Sequence, residues 1–302
     1  MFPVKRSGSR KFKIDKKYME LVGRFSSHLG EGPFWDSVSK RLLWVDILGK
    51  KILEHDFDND VTIDRDVSGN PGCVVLADNE TLVAAIDNSI FSINRSDWSV
   101  QRIVEADPIP RLRFNDGKCD ERGRLWVGTM DREESEPIGT LYRCSAKVGI
   151  EPALAGVTVS NGIAWSTNNE ELYYIDSPTR CVCAFDYDLD SGEIKDKREL
   201  IKFTEGDGFP DGMTTDSEGR LWIAFWGGSK VLCIDPGSGK IEGKIDFPVS
   251  KVTSCAFGGD DLSQLFVTSA RVEINEEEEP LAGRVFVVEP GVTGLESNRY
   301  LF

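Results

Sequence analysis

Histidine is almost missing from this chain: His28 and His55 are the only two in 302 residues. A catalytic thiol wants an imidazole partner, and His55 follows a strand-like run far from any candidate site, so cysteine nucleophile chemistry is not expected. The seven cysteines are odd in number, contain no CxxC pair, and sit in strand-like runs. Cys181 and Cys183, two apart on one strand, point the same way but are poorly placed to bridge. This usage reads as reduced, buried thiols of a cytoplasmic protein, not as a disulfide framework.

Long apolar runs are missing too. None approaches the ~20 residues of a membrane-spanning helix, and the head of the chain lacks the apolar core of a secretory signal. Almost nothing has helical periodicity, and no Pro/Ser-rich linker divides the chain. Positive charge is scarce outside the head. The net charge is −15, but residues 1–17 carry Lys5, Arg6, Arg10, Lys11, Lys13, Lys16 and Lys17 against Asp15, a local +6 that leaves −21 for the rest. An acidic body disfavours nucleic acid and suits a cation. The head, whose Arg/Lys/Ser content also leaves a mitochondrial address open, is expected to be a disordered extension of one domain spanning residues 18–302.

What is abundant is repetition. A small-residue or polar signal comes about ten residues before a short β-rich run six times. Gly30-Glu31-Gly32-Pro33 precedes Leu42–Asp46, and Cys73 precedes Val83. Asn115-Asp116-Gly117 precedes Leu125–Gly128, and Asn161-Gly162 precedes Leu172–Asp176. Pro210-Asp211-Gly212 precedes Leu221–Ala224, and Ser254-Cys255 precedes Leu265–Thr268. Anchored on Glu31, Cys73, Asn115, Asn161, Asp211 and Ser254, the intervals are 42, 42, 46, 50 and 43 residues. A period in the forties built of strands and turns predicts a β-propeller with one four-stranded blade per repeat, here six blades. The strand-like segment Tyr18–Phe25 is expected to join Gly283–Glu289 and remove the open edge of the ring. The run Glu276–Glu279 between strands of the last repeat reads as a solvated loop.

In a propeller the innermost strands surround one axis, so equivalent positions face one another. Glu31, Asn115, Asn161 and Asp211 would bring side-chain oxygens to that axis. Each Asn-Gly or Asp-Gly pair is also ordinary turn chemistry; four at equivalent positions favour convergence. Glu31, Asn161 and Asp211 form an all-oxygen set suited to Ca²⁺ first, then Mg²⁺ or Mn²⁺. Zn²⁺ could bind there but is not specified by such ligands. A metal that merely plugs the channel is the plainer alternative. Arg113, Asn115 and Glu133 flank the inner and following strands of the third repeat, near the channel mouth. Taken singly, Arg113 and Glu133 read equally as surface charges.

These phrases, with Arg113-Phe114-Asn115-Asp116-Gly117-Lys118, Gly128-Thr129-Met130, Pro210-Asp211-Gly212-Met213 and Thr253–Gly259, resemble the regucalcin (SMP-30), gluconolactonase and luciferin-regenerating-enzyme family over roughly residues 20–302. Phe185–Asp188 and Thr253–Gly259 look most like its animal branch. The resemblance implies a six-bladed propeller with one divalent metal in the channel. It implies metal ligands at Glu31, Asn161 and Asp211, substrate contacts at Arg113, Asn115 and Glu133, and Asp211 as the catalytic acid/base. Leu112, the mouth segment near 131–138, the acidic loop 273–279 and the basic head depart from the pattern and bear on which substrate is used.

The leading reading is a metal-dependent sugar lactonase, acting as a monomer or weak dimer on a small-molecule lactone, with neither nucleic-acid nor membrane partner. The alternatives are a calcium-binding regulatory protein and a related hydrolase with a non-sugar substrate, as in luciferin regeneration. A protein-interaction propeller fits least, having no use for a metal in its channel.

Overall fold

Short β-rich runs separated by tight turns fold here into six antiparallel sheets arranged as the blades of a propeller. The structure is a computed structural model that describes residues 12–13, 19–106 and 109–302. The first blade is built of Gly30–Asp36, Arg41–Asp46, Lys51–Asp56 and Val61–Asp66, and the second of Pro71–Leu76, Thr81–Ile86, Ser89–Asn94 and Val100–Glu105. Leu112–Cys119, Leu125–Asp131, Gly139–Ser145 and Gly149–Val157 make the third, and Ser160–Trp165, Glu171–Asp176, Cys181–Asp188 and Glu193–Lys202 the fourth. The fifth holds Phe209–Thr215, Leu221–Trp226, Lys230–Asp235 and Lys240–Asp246.

The sixth blade closes the ring as anticipated. Val252–Gly258, Gln264–Ser269 and Val285–Val288 take their outermost strand from the other end of the chain, Glu20–Val22, which pairs antiparallel with Val285–Val287. Trp35 of the first blade stacks on Phe266 of the sixth, ring centroids 5.3 Å apart. The basic head lies outside the described residues except for Phe12–Lys13, which runs parallel to Gly243–Lys244 on the fifth blade.

Burial follows position in the blade. The inner and second strands are almost wholly buried, whereas outer strands such as Val61–Asp66 and Val100–Glu105 are largely exposed. Two blades share a device that fixes the turn after the inner strand. In Asp120-Glu121-Arg122-Gly123-Arg124-Leu125-Trp126, Asp120 Oδ1 accepts the Arg124 N–H, while Oδ2 accepts Arg124 Nε at 2.7 Å and Trp126 Nε1 at 2.9 Å. Asp216, Arg220 and Trp222 repeat this arrangement with both side-chain bonds at 2.8 Å. A carboxylate with no exposed surface satisfies one indole and one guanidinium, so the aromatic ring enters the interblade core without an orphaned N–H.

Among the described residues, helix is confined to the 3₁₀ turns Ser177–Thr179 and Glu205–Asp207, and no helix is long and apolar enough to cross a membrane. All seven cysteines are free, and only Cys183 is less than fully buried. Of the acidic run, Glu276, Glu277 and Glu278 are exposed. Glu279 has structural work, because its Oε2 accepts the Ser250 N–H at 2.7 Å and the Ser250 hydroxyl at 3.1 Å.

Candidate functional site

The ladder between inner and second strand breaks once in every blade, and the breaks coincide with the repeat anchors. They fall between Glu31 and Phe34, Pro71 and Cys73, Phe114 and Gly117, Ser160 and Ile163, Pro210 and Met213, and Val252 and Ser254. A bulge places an extra residue in one strand and re-aims its side chain. Six bulges at one level therefore give a ring of side chains directed by irregular backbone at the channel. Two of the glycines that follow, Gly162 and Gly212, are not turn glycines. A Cβ on Gly162 would lie 2.6 Å from the Asp211 carbonyl oxygen, and one on Gly212 would overlap the Ser254 side chain. Glycine is needed there because neighbouring inner strands touch.

Glu31, Arg113, Asn115, Asn161 and Asp211 are all buried. Asn115 Nδ2 donates to the Ser160 carbonyl at 2.8 Å and to Asn161 Oδ1 at 3.1 Å. Asn161 Nδ2 donates to Ser177 Oγ at 2.8 Å, and that hydroxyl donates to the Pro210 carbonyl at 2.6 Å. The chain of bonds fixes both amides and ties the fourth blade to the fifth beside Asp211. Arg113 NH1 donates to Asn115 Oδ1 at 2.7 Å and to the Phe114 carbonyl at 2.9 Å. Glu31 Oε2 accepts its neighbouring Gly32 N–H at 2.9 Å. Asp211 Oδ1 is buried with no hydrogen-bond partner among the described residues.

The charges are crowded. Burial, and then the charge of Asp116, push the Glu31 carboxyl up to about 8. Burial, followed by the charges of Glu31 and Asp116, lifts Asp211 well above the ordinary carboxylate range. Burial also raises Asp116 and holds the Arg113 guanidinium down to about 10. Arg113 and Lys118 offset part of this charge, acting on Glu31 and Asp116 respectively, and a further cation would favour ionisation of the acids together. The described His, Cys, Asp and Glu side chains form no ready group of three for a metal; the candidate set counts two acids and an amide oxygen. Oxygen donors from Glu31, Asn161 and Asp211 fit a hard cation, and the orphaned Asp211 Oδ1 is the atom that such a cation would satisfy.

Glu133 is placed apart from the other expected residues. Its side chain is 71% exposed and pairs with Arg111 at 3.2 Å. The neighbouring Glu134 lies closer in electrostatic terms, since its charge acts on both Arg113 and Asp211. The reason is local. Asp131, with no exposed surface, gathers the Arg111 guanidinium and the Glu133, Ser135 and Glu136 N–H groups, and so pins the loop. Arg111 is thereby held beside Glu133.

The sequence pattern did not single out Asp116, Lys118 or Ser177. The first two stand in the Asn115–Lys118 phrase itself, where the bulge turns consecutive residues inward; Lys118 Nζ donates to the Met213 carbonyl at 2.7 Å. Both line a cavity of about 290 Å³ with Ser254, Trp165 and Phe257. Most of its walls are inner-strand residues C-terminal to the anchors, so it adjoins the oxygen cluster on that side. Of the crowded acids only Asp116 lines this cavity, and Glu31 and Asp211 do not.

A family model described as the SMP-30/Gluconolactonase/LRE-like region matches residues 29–271. A Bacillus subtilis (strain 168) protein, YvrE, provisionally named a sugar lactone lactonase, is 38% identical over 85% of this chain and 90% of its own. Regucalcin of Bos taurus is 36% identical over 93% of this chain and 98% of its own. The structure of a calcium-binding protein, regucalcin, from Agrobacterium tumefaciens superposes with a TM-score of 0.91 at 25% identity, covering 96% of this chain and 99% of that one.

Proposed function

This chain belongs to the SMP-30/gluconolactonase/LRE-like family, and we propose that it is a divalent-metal-dependent hydrolase that opens sugar lactones. Family membership supports a lactone hydrolase in general terms. The metal and the residue roles rest on one observation: Asp211 Oδ1 is buried and unpartnered beside a second acid, Glu31, and a tethered amide, Asn161. Those three residues would hold the ion, with Ca²⁺ the best match to an all-oxygen set and Mg²⁺, Mn²⁺ or Zn²⁺ as substitutes. When bound, such an ion supplies Lewis-acid polarisation of a carbonyl and acidifies water.

The chain's own groups do the rest. Asp211 would divide its carboxylate between holding the ion and taking the proton of the attacking water. Its burial among acids suits that division, because a carboxylate wholly committed to a dication is a poor base. Arg113 and Asn115 hold the sugar hydroxyls; the Arg113–Asn115 bond fixes their relative position before substrate arrives. Glu133 accepts from a hydroxyl after its exposed side chain leaves Arg111, while Asp131 holds the loop backbone in place. In this reading the protein is a cytoplasmic monomer or weak dimer whose partner is the small lactone.

The calcium-binding regulatory reading draws on the Agrobacterium relative, which is described as a calcium-binding protein. A pure binder has no use for Arg113 and Asn115 arranged beside the acids, which is why the enzyme is preferred. A lactone panel that includes non-sugar esters, run after chelation and again with each ion restored, tests the proposal. Loss and return of sugar-lactone hydrolysis is expected, and full activity in the rigorously metal-free protein overturns it.

A further inference from the structure

Away from the channel, Cys181 and Cys183 stand on the third strand of the fourth blade with their sulfurs 3.7 Å apart. Residues two apart on a strand have Cα atoms ~6.6 Å apart, at the upper edge of disulfide geometry, so bridging is disfavoured. Chelation is not. Two sulfurs each ~2.3 Å from a tetrahedral zinc lie ~3.8 Å from each other, which is the separation already present. We propose that Cys181 and Cys183 form a two-thiolate chelate for a thiophilic divalent cation of the Zn²⁺ class, separate from the oxygen-only site in the channel.

The surroundings allow it. The two thiols line an open groove of about 370 Å³ together with Tyr174, Asp176, Lys197 and Glu199. Cys183 is only half-buried, so an ion has access. Glu199 stands directly across the ladder from Cys183; among the described residues no third His, Cys, Asp or Glu is already in ligand range, so water would complete the shell. The ladder to the outer strand slips between Val182 and Cys183, with Leu200 as the extra outer-strand residue, so the two thiols flank the irregularity. Binding of the cation would displace the protons of both thiols.

Cobalt(II) separates this site from the channel, because only sulfur ligation gives an intense thiolate-to-metal charge-transfer band. The full-length, reduced protein titrated anaerobically with Co²⁺ should develop that band with one equivalent, and Zn²⁺ should displace it. Cys183→Ser, at a half-buried position, should abolish the band while circular dichroism stays native; Cys181→Ser should do the same. Asp211→Asn should leave it intact. Absence of the band in the parent protein, or its persistence in Cys183→Ser, overturns the proposal.

Discussion

Metal-free protein should lose stability as pH rises from 5.5 to 8, and calcium should remove that loss. Glu31 is the main source. Its carboxyl stands at about 8 in the folded protein against 4.5 for an ordinary glutamate. Between those values the folded state binds the proton and the unfolded state does not. Stability is therefore full below the lower value and falls as pH climbs through the upper one. At ~1.4 kcal/mol per unit, Glu31 alone removes about 3 kcal/mol between pH 5.5 and 8. Asp211, raised by burial and by Glu31, acts in the same direction. For a domain of this size 3 kcal/mol lowers the melting temperature by roughly 5 °C.

The assay is thermal unfolding followed by circular dichroism at several pH values, with chelator and again with excess Ca²⁺. Bound cation keeps both acids ionised, so the slope with pH should flatten, and the protein should melt higher throughout. His55 works the other way: burial lowers its pKa, so it contributes stability regained as pH rises. It lies on the third strand of the first blade, hydrogen-bonded to Thr62, so its effect is the same in both series and cancels in their difference. Glu31→Gln should flatten the chelated series on its own. Identical slopes with and without calcium, together with an unchanged slope in Glu31→Gln, would refute the reasoning.

Asp211→Asn keeps an oxygen for the ion but cannot accept a proton, so turnover should fall on the order of 10²-fold or more while metal is retained; near-normal turnover would move the base elsewhere. Arg113→Ala should cut lactone hydrolysis with calcium affinity changed by no more than a few-fold, as measured by calorimetry on the same preparation; intact hydrolysis would make the calcium-binding reading the better one. Glu133→Gln and Glu134→Gln divide the mouth loop. Glu133→Gln should raise KM for the lactone, and Glu134→Gln should not; the reverse pattern would give the substrate contact to the residue whose charge already acts on Arg113 and Asp211.

The ring was legible because its period is written in residues that only one architecture uses six times. Leu-Trp runs mark second strands, Asn-Gly and Asp-Gly pairs mark inner ones, and the spacing between them leaves room for two more strands. Strand ends were less legible. The outer strand of the fourth blade, Glu193–Lys202, is mostly exposed and carries little hydrophobic alternation to mark where it begins. The turn clamp of Asp120, Arg124 and Trp126, repeated at Asp216, Arg220 and Trp222, was present as an identical spacing in two repeats. It needed geometry to show that one carboxylate serves both partners.

The site divides along a similar line. Residues held on inner strands could be placed from sequence, since a bulge at a repeating position aims each of them at the axis; Glu31, Asn115, Asn161 and Asp211 meet that condition. The same bulges reassign the glycines beside them. Gly162 and Gly212 are present because adjacent inner strands leave no room for a Cβ, not because the chain turns. Glu133 was placed by its position beside the second strand of the third repeat and by the family resemblance, and on a loop neither fixes where a side chain ends. What sets its position is Asp131, which collects three backbone N–H groups and Arg111 and so commits Arg111 to Glu133. A residue on the scaffold inherits the symmetry of the ring, whereas a residue on the mouth loop answers to whichever buried charge anchors that loop. Substrate selectivity in this fold should therefore be sought in the partners of Asp131 before the oxygens of the channel.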